Sequence, residues 1–368
     1  MEVLHLYRYC EQDSYGGIER HLSILCECLA PEVRSVLLVS SKGFYREEKE
    51  MPWGKIIKTP TLGEWKSADF NPTLPFELKK NNSDIIHIHL PFPGAVLAYL
   101  LSREKRKMIV SFHMESAKYL FLQKIFSPFV RKIFEKANAI LVNSPPVLQH
   151  AAALKPFLQK CHVIPYGIHL ADFAAAPAVL SESNAVKEKY KQPLILYAGR
   201  LVWYKGIEFL IKAMKGIDAV LLIVGDGPQR KNLKKLAAEE KIKDKIIFIG
   251  KVPSMAPYHY ASEFLVLPSI SRSESFGMVQ LEAMACGKPV ISTELGTGSS
   301  WVNRDEVTGI VVKPQDLTGL QNAINLLLSN PSLRKRLGEN GKAIIEKNFT
   351  DEKMAEKILQ IYKDAAKI

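Results

Sequence analysis

Short runs of apolar, largely β-branched residues alternate with longer stretches of helical spacing, and the pattern passes through this 368-residue chain twice. The first series reads VLHLYRY, a helical IERHLSILCECLA, VRSVLLVS, and later DIIHIHL, KMIVSFH and AILVNS. After residue 190 it restarts with LILYAGR, a helical GIEFLIKAM, AVLLIVG, a basic helical QRKNLKKLAAEEK, IIFIG, FLVLPS, one further helix and PVIST. Strand, helix, strand on this scale means parallel sheets with helices on both faces, because parallel neighbours need a crossover between them. Two series imply two Rossmann-like domains, which suits a chain too long for one ordinary core. The expected division is an N-terminal domain over 1–170 and a C-terminal domain over 171–350. The join falls within residues 170–194, rich in Ala, Ser and Pro. A last helix, 351–368, has no strand after it and is expected to pack elsewhere.

Composition narrows the class. Hydrophobic residues are 47% and charged residues 24% of the chain, as in a soluble globular protein, and no stretch approaches the roughly twenty apolar residues of a bilayer crossing. The N-terminus has an early acid and neither a basic region nor a small-residue cleavage site, so secretion is not expected. Five cysteines without a CxxC pair read as small core residues of a reducing compartment. The net charge of +12 is spread evenly: Lys and Arg outnumber Asp and Glu by 22 to 16 in residues 1–170 and by 28 to 22 in the rest. No RNA- or DNA-binding signature accompanies it, and aromatics do not alternate with the basic residues, so nucleic acid is not an expected partner. The excess fits phosphorylated ligands, an anionic membrane surface, or both.

In open parallel sheets the loops after the strands bind ligands. Strand one leads to Tyr15-Gly16-Gly17 at the mouth of a helix, where paired glycines let backbone approach an anion; an ordinary strand-to-helix turn is the alternative. The GxGxxG spacing of a dinucleotide site is absent, and no acid ends VLLVS, which argues against a nicotinamide oxidoreductase. In the second series, Ala198-Gly199-Arg200-Leu201 ends a strand and Lys205-Gly206 precedes a helix. Two cations beside a glycine suit a diphosphate, and a solvated loop is the alternative. Val224-Gly225-Asp226-Gly227-Pro228 reads as a structural turn.

The stretch SESFGMVQLEAMACGKPVIST, 273–293, carries Glu274 and Glu282 around a helix expected over 278–286 and stopped by Gly287 and Pro289. The turn at Ser275-Phe276-Gly277-Met278 offers amides to an anion. Were the whole interval helical, the carboxylates would stand roughly 12 Å apart along the axis, whereas glycosidase pairs sit about 5 to 9.5 Å apart. A hydrolytic dyad is disfavoured; contact with two distant parts of one elongated ligand is not.

Glu274-x7-Glu282 in an ESFG…LEAMACGKPVI setting, with AGRL…KG upstream, VGDGP between, and the Gly-Gly, HIHLP, SFHM, LVNS and IPYGI segments in order, resembles the retaining GT-B glycosyltransferases of family GT4. The resemblance spans nearly the whole chain. It implies two Rossmann-like domains facing across a cleft, a nucleotide-sugar donor held mainly by the C-terminal domain, an acceptor held by the N-terminal one, and a final helix crossing back to the N-terminal domain. It further implies that Arg200 and Lys205 bind the donor diphosphate and neutralise the leaving group. Glu282 would take the ribose hydroxyls, Glu274 and the amides around Phe276, Gly277 and Met278 the sugar hydroxyls, and Gly16 and Gly17 the approach to phosphate and acceptor. His113 would sit beside the transferred sugar, orienting it or sharing a proton.

There is no Asp-x-Asp metal signature, in keeping with a phosphate clamp of cationic side chains and no metal or other cofactor. His87 and His89 share one strand face, but spacing shows no third ligand. The basic, apolar stretch 120–137, with Lys124, Arg131, Lys132 and Lys136, suits either an anionic membrane surface or the solvated face of a domain helix. Where many relatives have Gly-Gly-x-Glu, this chain has residues Glu294 to Asn303, which is similar to enzymes of surface-polysaccharide assembly. A GDP-mannose-type donor is favoured, UDP-sugars stay open, and the expected acceptor is a glycan or lipid-linked. The expected location is cytoplasmic, either free in the cytoplasm or peripheral on the inner face of the cytoplasmic membrane. A non-catalytic carbohydrate- or nucleotide-binding protein on the same fold is the alternative. Segments 43–54 and 61–72 are expected to be acceptor loops.

Overall fold

A computed structural model describes residues 1–13, 16–65, 68–114 and 120–367. The chain divides into two compact units, Met1–Gly167 with Asp351–Ile368, and Ile168–Thr350.

The first unit contains β1 (Glu2–Leu6), α1 (Gly17–Leu29), β2 (Arg34–Ser40), β3 (Glu47–Met51), β4 (Gly54–Thr59), β5 (Glu64–Trp65), β6 (Ala68–Asp69), α2 (Leu74–Lys80), β7 (Ile85–Leu90), α3 (Pro93–Ser102), β8 (Lys107–Phe112), α4 (Leu120–Lys136), β9 (Ala139–Val142), α5 (Pro145–His150) and β10 (Cys161–Val163). Its eight-stranded sheet has the order β10-β9-β8-β7-β1-β2-β4-β3. All neighbours are parallel except β3, which runs antiparallel to β4. Every residue of β7 is buried, as in a parallel strand covered on both faces, with Ile86, Ile88 and Leu90 alternating with Ile85, His87 and His89. Helix α1 covers the sheet with His21, Leu22, Leu25, Cys26 and Leu29, which recur at helical spacing along one stripe.

Strand β3 departs from the expectation of an acceptor loop at 43–54. Its sequence EEKEM is charged and exposed, and it forms because Lys55 and Lys58 on β4 meet Glu48 and Glu47 at 2.6 and 3.3 Å. A charged edge of this kind discourages pairing with other chains. The second expected loop, 61–72, contains the β5–β6 pair.

The second unit contains α6 (Pro177–Tyr190), β11 (Leu194–Ala198), α7 (Ile207–Ala213), β12 (Val220–Val224), α8 (Arg230–Glu239), β13 (Ile246–Gly250), α9 (Ala256–Ala261), β14 (Phe264–Leu267), α10 (Met278–Ala285), β15 (Val290–Thr293), α11 (Gly298–Val302), β16 (Gly309–Val312), α12 (Leu317–Ser329) and α13 (Pro331–Asn348). Its sheet is parallel throughout, in the order β13-β12-β11-β14-β15-β16. The Ala-rich segment read as a join is helix α6, started by Pro177 at its first position, where proline's missing N–H costs nothing. It belongs to the second unit.

Helix α14 (Asp351–Lys367) returns to the first unit. Its buried Met354, Ala355, Ile358, Tyr362 and Ala365 form one stripe, and Lys363 meets Glu32 at 2.5 Å. Of the cysteines, all unpaired, Cys10, Cys26 and Cys286 are core residues, but Cys28 and Cys161 are only partly buried. The Cys28 thiol faces Asp351 at 3.3 Å.

Both sheets reverse direction beside their first strand. The chain leaves β1 toward β2 and β4, then places β7 on the other side; it leaves β11 toward β12 and β13, then places β14 on the other side. Loops following β1 and β7, and those following β11 and β14, therefore diverge at a topological switch point, where open α/β sheets hold ligands.

Candidate functional site

At the switch point of the second unit, the loop after β11 carries Arg200 and Lys205, and the loop after β14 carries Glu274. The structure joins two of these directly: Lys205 Nζ lies 2.5 Å from Glu274 Oε2, with side chains only 12% and 7% exposed. Ser269 Oγ donates to the same carboxylate oxygen at 2.9 Å, and Thr297 Oγ1 donates to the Glu274 carbonyl at 2.7 Å. Burial works to lower the Lys205 pKa, but the Glu274 charge, with Tyr204, more than offsets it and holds the ammonium above its ordinary range. Burial, reinforced by Glu274, pushes the Tyr197 phenol well above its usual value, and its Oη donates to the Arg200 carbonyl at 3.1 Å. Arg200 itself is exposed and makes no salt bridge among the described residues. One cation is thus fixed by a carboxylate and the other stands open to an anion.

Two glycines make this approach possible. Gly206 has φ +63°, and a Cβ there would run into the Pro268 carbonyl, so only glycine lets the β11 and β14 loops come so close. Gly277, at φ +77°, caps α10, and a side chain there would meet Gln280 Nε2 at 2.6 Å and Leu267 at 2.8 Å. The Gln280 N–H already turns back to the Gly277 carbonyl at 2.9 Å, and the amides at the start of α10 give this end of the helix a partial positive charge. Phe276 is 2% exposed and its ring packs near Trp301 and Phe349. Its side chain belongs to the core, so it offers a ligand only backbone. Met278 is 8% exposed. Gln280 Nε2 donates to the Phe276 carbonyl at 3.0 Å and to Ser299 at 3.3 Å, pinning this turn to α11.

Glu282 has a different neighbour from Glu274. It lies on α10, and its Oε2 is 3.6 Å from Nε2 of the buried His259. Glu274 lies in the loop before the helix, so the whole interval between the two glutamates is not helical.

In the first unit Gly16 precedes α1 with extended backbone and Gly17 opens the helix; Tyr15 lies outside the described residues. His113 directly follows β8 and is 2% exposed. Both of its ring nitrogens are engaged: Nε2 with His89 Nδ1 at 2.9 Å and Nδ1 with Tyr166 Oη at 2.5 Å. Its side chain therefore reaches a ligand only by exchanging one of these bonds. The chain continues inward from His89 Nε2 to His5 Nδ1 at 3.2 Å. His87 is held by Tyr362 Oη at 2.6 Å and Ser111 Oγ at 2.8 Å.

Spacing alone shows no third imidazole beside His87 and His89, and the structure corrects this by supplying His5. Side-chain nitrogens of the three lie within 4.8 Å of one another. The signal missed was register: His5 on β1 pairs with His87 on β7, a relation invisible in either segment alone. The three nitrogens are a donor set suited to zinc-like ions, but all four nitrogens of His87 and His89 already have protein partners. Burial drives every ring of the cluster toward neutrality, lowering His5 and His21 to about 3 and His87, His89 and His113 well below the usual value. A neutral imidazole has one donor and one acceptor, which suits a chain of rings hydrogen-bonded end to end. Ser269, Thr297, Gln280, Tyr166, Tyr362 and His259 were likewise beyond sequence reasoning, being isolated polar residues in apolar or loop contexts.

Comparison with known proteins places this geometry. The profile described as "Glycosyltransferase Family 4" matches residues 15–172 and that described as "Glycosyl transferases group 1" matches residues 181–344. The chain is 29% identical to the O-antigen chain mannosyltransferase C of Escherichia coli over 98% of both chains. It is 28% identical to a D-rhamnosyltransferase of Pseudomonas aeruginosa, over 95% of this chain and 92% of the other. Among solved structures, a sucrose-phosphate synthase from Thermosynechococcus elongatus superimposes with a TM-score of 0.83 at 24% identity, covering 99% of this chain and 98% of that one. Anabaena HepE, solved with UDP and glucose, gives 0.79 at 18% identity over 99% of both chains. With its two parallel-sheet units and both profiles matched in order, the chain belongs to the GT4-type group 1 glycosyltransferases of GT-B fold.

Proposed function

We propose that the chain is a retaining, metal-independent hexosyltransferase of surface-polysaccharide or lipopolysaccharide assembly. It takes a hexose from a nucleotide-sugar, with a GDP-mannose-type donor favoured and UDP-sugars open, and passes it to a glycan or lipid-linked acceptor. The observation that carries the reading is the buried Lys205–Glu274 pair beside the open Arg200 and the N-terminus of α10. The similarity to an O-antigen mannosyltransferase along nearly the full length supports the choice of donor and pathway class.

In this reading Arg200 and Lys205 bind the diphosphate. The bond from the anomeric carbon to the β-phosphate oxygen breaks and its electron pair goes to the phosphate. Fixed cations stabilise that developing charge more in the transition state than in the ground state. The acceptor hydroxyl oxygen forms the new bond on the same face, and its proton passes to a phosphate oxygen, so no side chain need be a nucleophile. Glu274 and the amides around Gly277 and Met278 hold the sugar hydroxyls, and Glu282 holds the ribose. Gly16 and Gly17 admit the phosphate and acceptor to the backbone, and His113 orients the sugar. Exposed Ile125 and Phe129 share α4 with exposed Arg131, Lys132 and Lys136, which fits peripheral contact with an anionic membrane at its cytoplasmic face.

The test is Glu274→Ala assayed for sugar transfer from GDP-mannose and UDP-glucose, with circular dichroism as a check on folding. Transfer is lost while the fold is kept; transfer at the wild-type rate would overturn the assignment. A wild-type chain that binds nucleotide without ever consuming donor would favour the non-catalytic alternative.

A further inference from the structure

Among the described residues, His259 is buried to within 1% of complete enclosure, yet neither of its ring nitrogens has a hydrogen-bond partner. Burying an imidazole this way costs stability, since both polar atoms lose water and gain nothing. An apolar ring of the same size would pack there more favourably, against Phe173, whose ring stands edge-on at 6.3 Å. What distinguishes the position is its direction. His259 sits on α9, and its Nε2 points at Glu282 Oε2 from 3.6 Å, beyond hydrogen-bond range by only a few tenths of an ångström. Glu282 is the partly exposed member of the pair, with 19% of its side chain open.

We propose that His259 is a positioning residue for the donor ribose. When Glu282 accepts hydrogen bonds from the ribose diol, its carboxylate settles against His259, and the Nε2–H to Oε2 bond closes. The imidazole thereby fixes which lone pairs face the two hydroxyls. Stability given up in the empty site is recovered in the occupied one, which makes the contact specific for a diol rather than for nucleotide in general. The inference rests on Glu282 being the ribose ligand, and its test separates the two claims.

Isothermal titration with GDP and UDP, each paired with its 2′,3′-dideoxy form, is run on wild type, His259→Phe, His259→Gln and Glu282→Gln. Whichever ribonucleotide binds wild type is expected to lose about tenfold in affinity in His259→Phe, the order expected for a hydrogen bond to a charged group, while its dideoxy form is unchanged. His259→Gln, which keeps an N–H donor, recovers part of the loss. The melting temperature of His259→Phe is not lowered, because an apolar ring replaces an unpartnered polar one. Wild-type affinity in His259→Phe, or an equal loss for ribo and dideoxy forms, would overturn the positioning role. If in those cases wild type separates ribo from dideoxy forms and Glu282→Gln no longer does, the ribose reading stands alone. A wild-type chain that does not distinguish the two forms, or binds neither nucleotide, removes the ribose assignment and this inference with it.

Discussion

Replacing Lys205 by methionine keeps the length of the side chain and removes its charge. The structure then leaves Glu274 enclosed, 7% exposed, with only Ser269 Oγ on its inner oxygen. Removing one partner of a buried ion pair costs about 3 to 5 kcal/mol, whereas replacing both by uncharged groups is often neutral. Lys205 keeps a little solvent contact, so the lower end, about 3 kcal/mol, is the better figure. For a unit of this size that lowers the melting temperature by roughly 6 to 12 °C. The double variant Lys205→Met/Glu274→Gln recovers most of it. Differential scanning calorimetry at pH 7.5 reads both quantities. A single variant as stable as wild type, or a double variant no better than the single one, would refute a buried, mutually dependent pair.

The histidine cluster predicts acid sensitivity in the first unit. His5 and His21 are depressed to about 3; a group so lowered contributes stability that is complete above its unfolded value near 6.5 and is lost as pH falls toward 3. At pH 5 the two rings together account for about 4 kcal/mol at most, and urea midpoints at pH 7.5 and 5 check it, a flat profile counting against burial of neutral rings. Sedimentation with liposomes at low salt tests α4: binding is expected with anionic and not with zwitterionic lipid, and Lys132→Glu/Lys136→Glu abolishes it. Binding to neither lipid would remove the membrane contact from the account.

The two-sheet architecture was legible because parallel strands buried on both faces are largely apolar, and AVLLIVG or FLVLPS has no other comfortable place to fold. The charged edge was not: EEKEM is a poor strand former and becomes β3 only because the lysines of β4 lie opposite. At the site, Glu274 and Lys205 could be singled out from the sequence, but their pairing could not, since it depends on β11 and β14 being neighbours at a reversal of strand order. The same holds for the imidazoles. His87 and His89 announce a shared face by spacing, while His5 joins them through register and Tyr362 through the return of α14, 275 residues away. Polar residues that support others from a distance leave no local pattern.

The central claim is that the chain moves a hexose from a nucleotide-sugar with retention. Proton NMR of wild-type enzyme with GDP-mannose, and in parallel UDP-glucose, follows the anomeric signal of the sugar as nucleotide is released to an acceptor glycan or, slowly, to water. The account predicts donor consumption in the presence of a metal chelator, with the first-formed product carrying the anomeric configuration of the donor, and none with Glu274→Ala. Consumption that requires a divalent metal, a product of inverted configuration, or no consumption of either donor would contradict it.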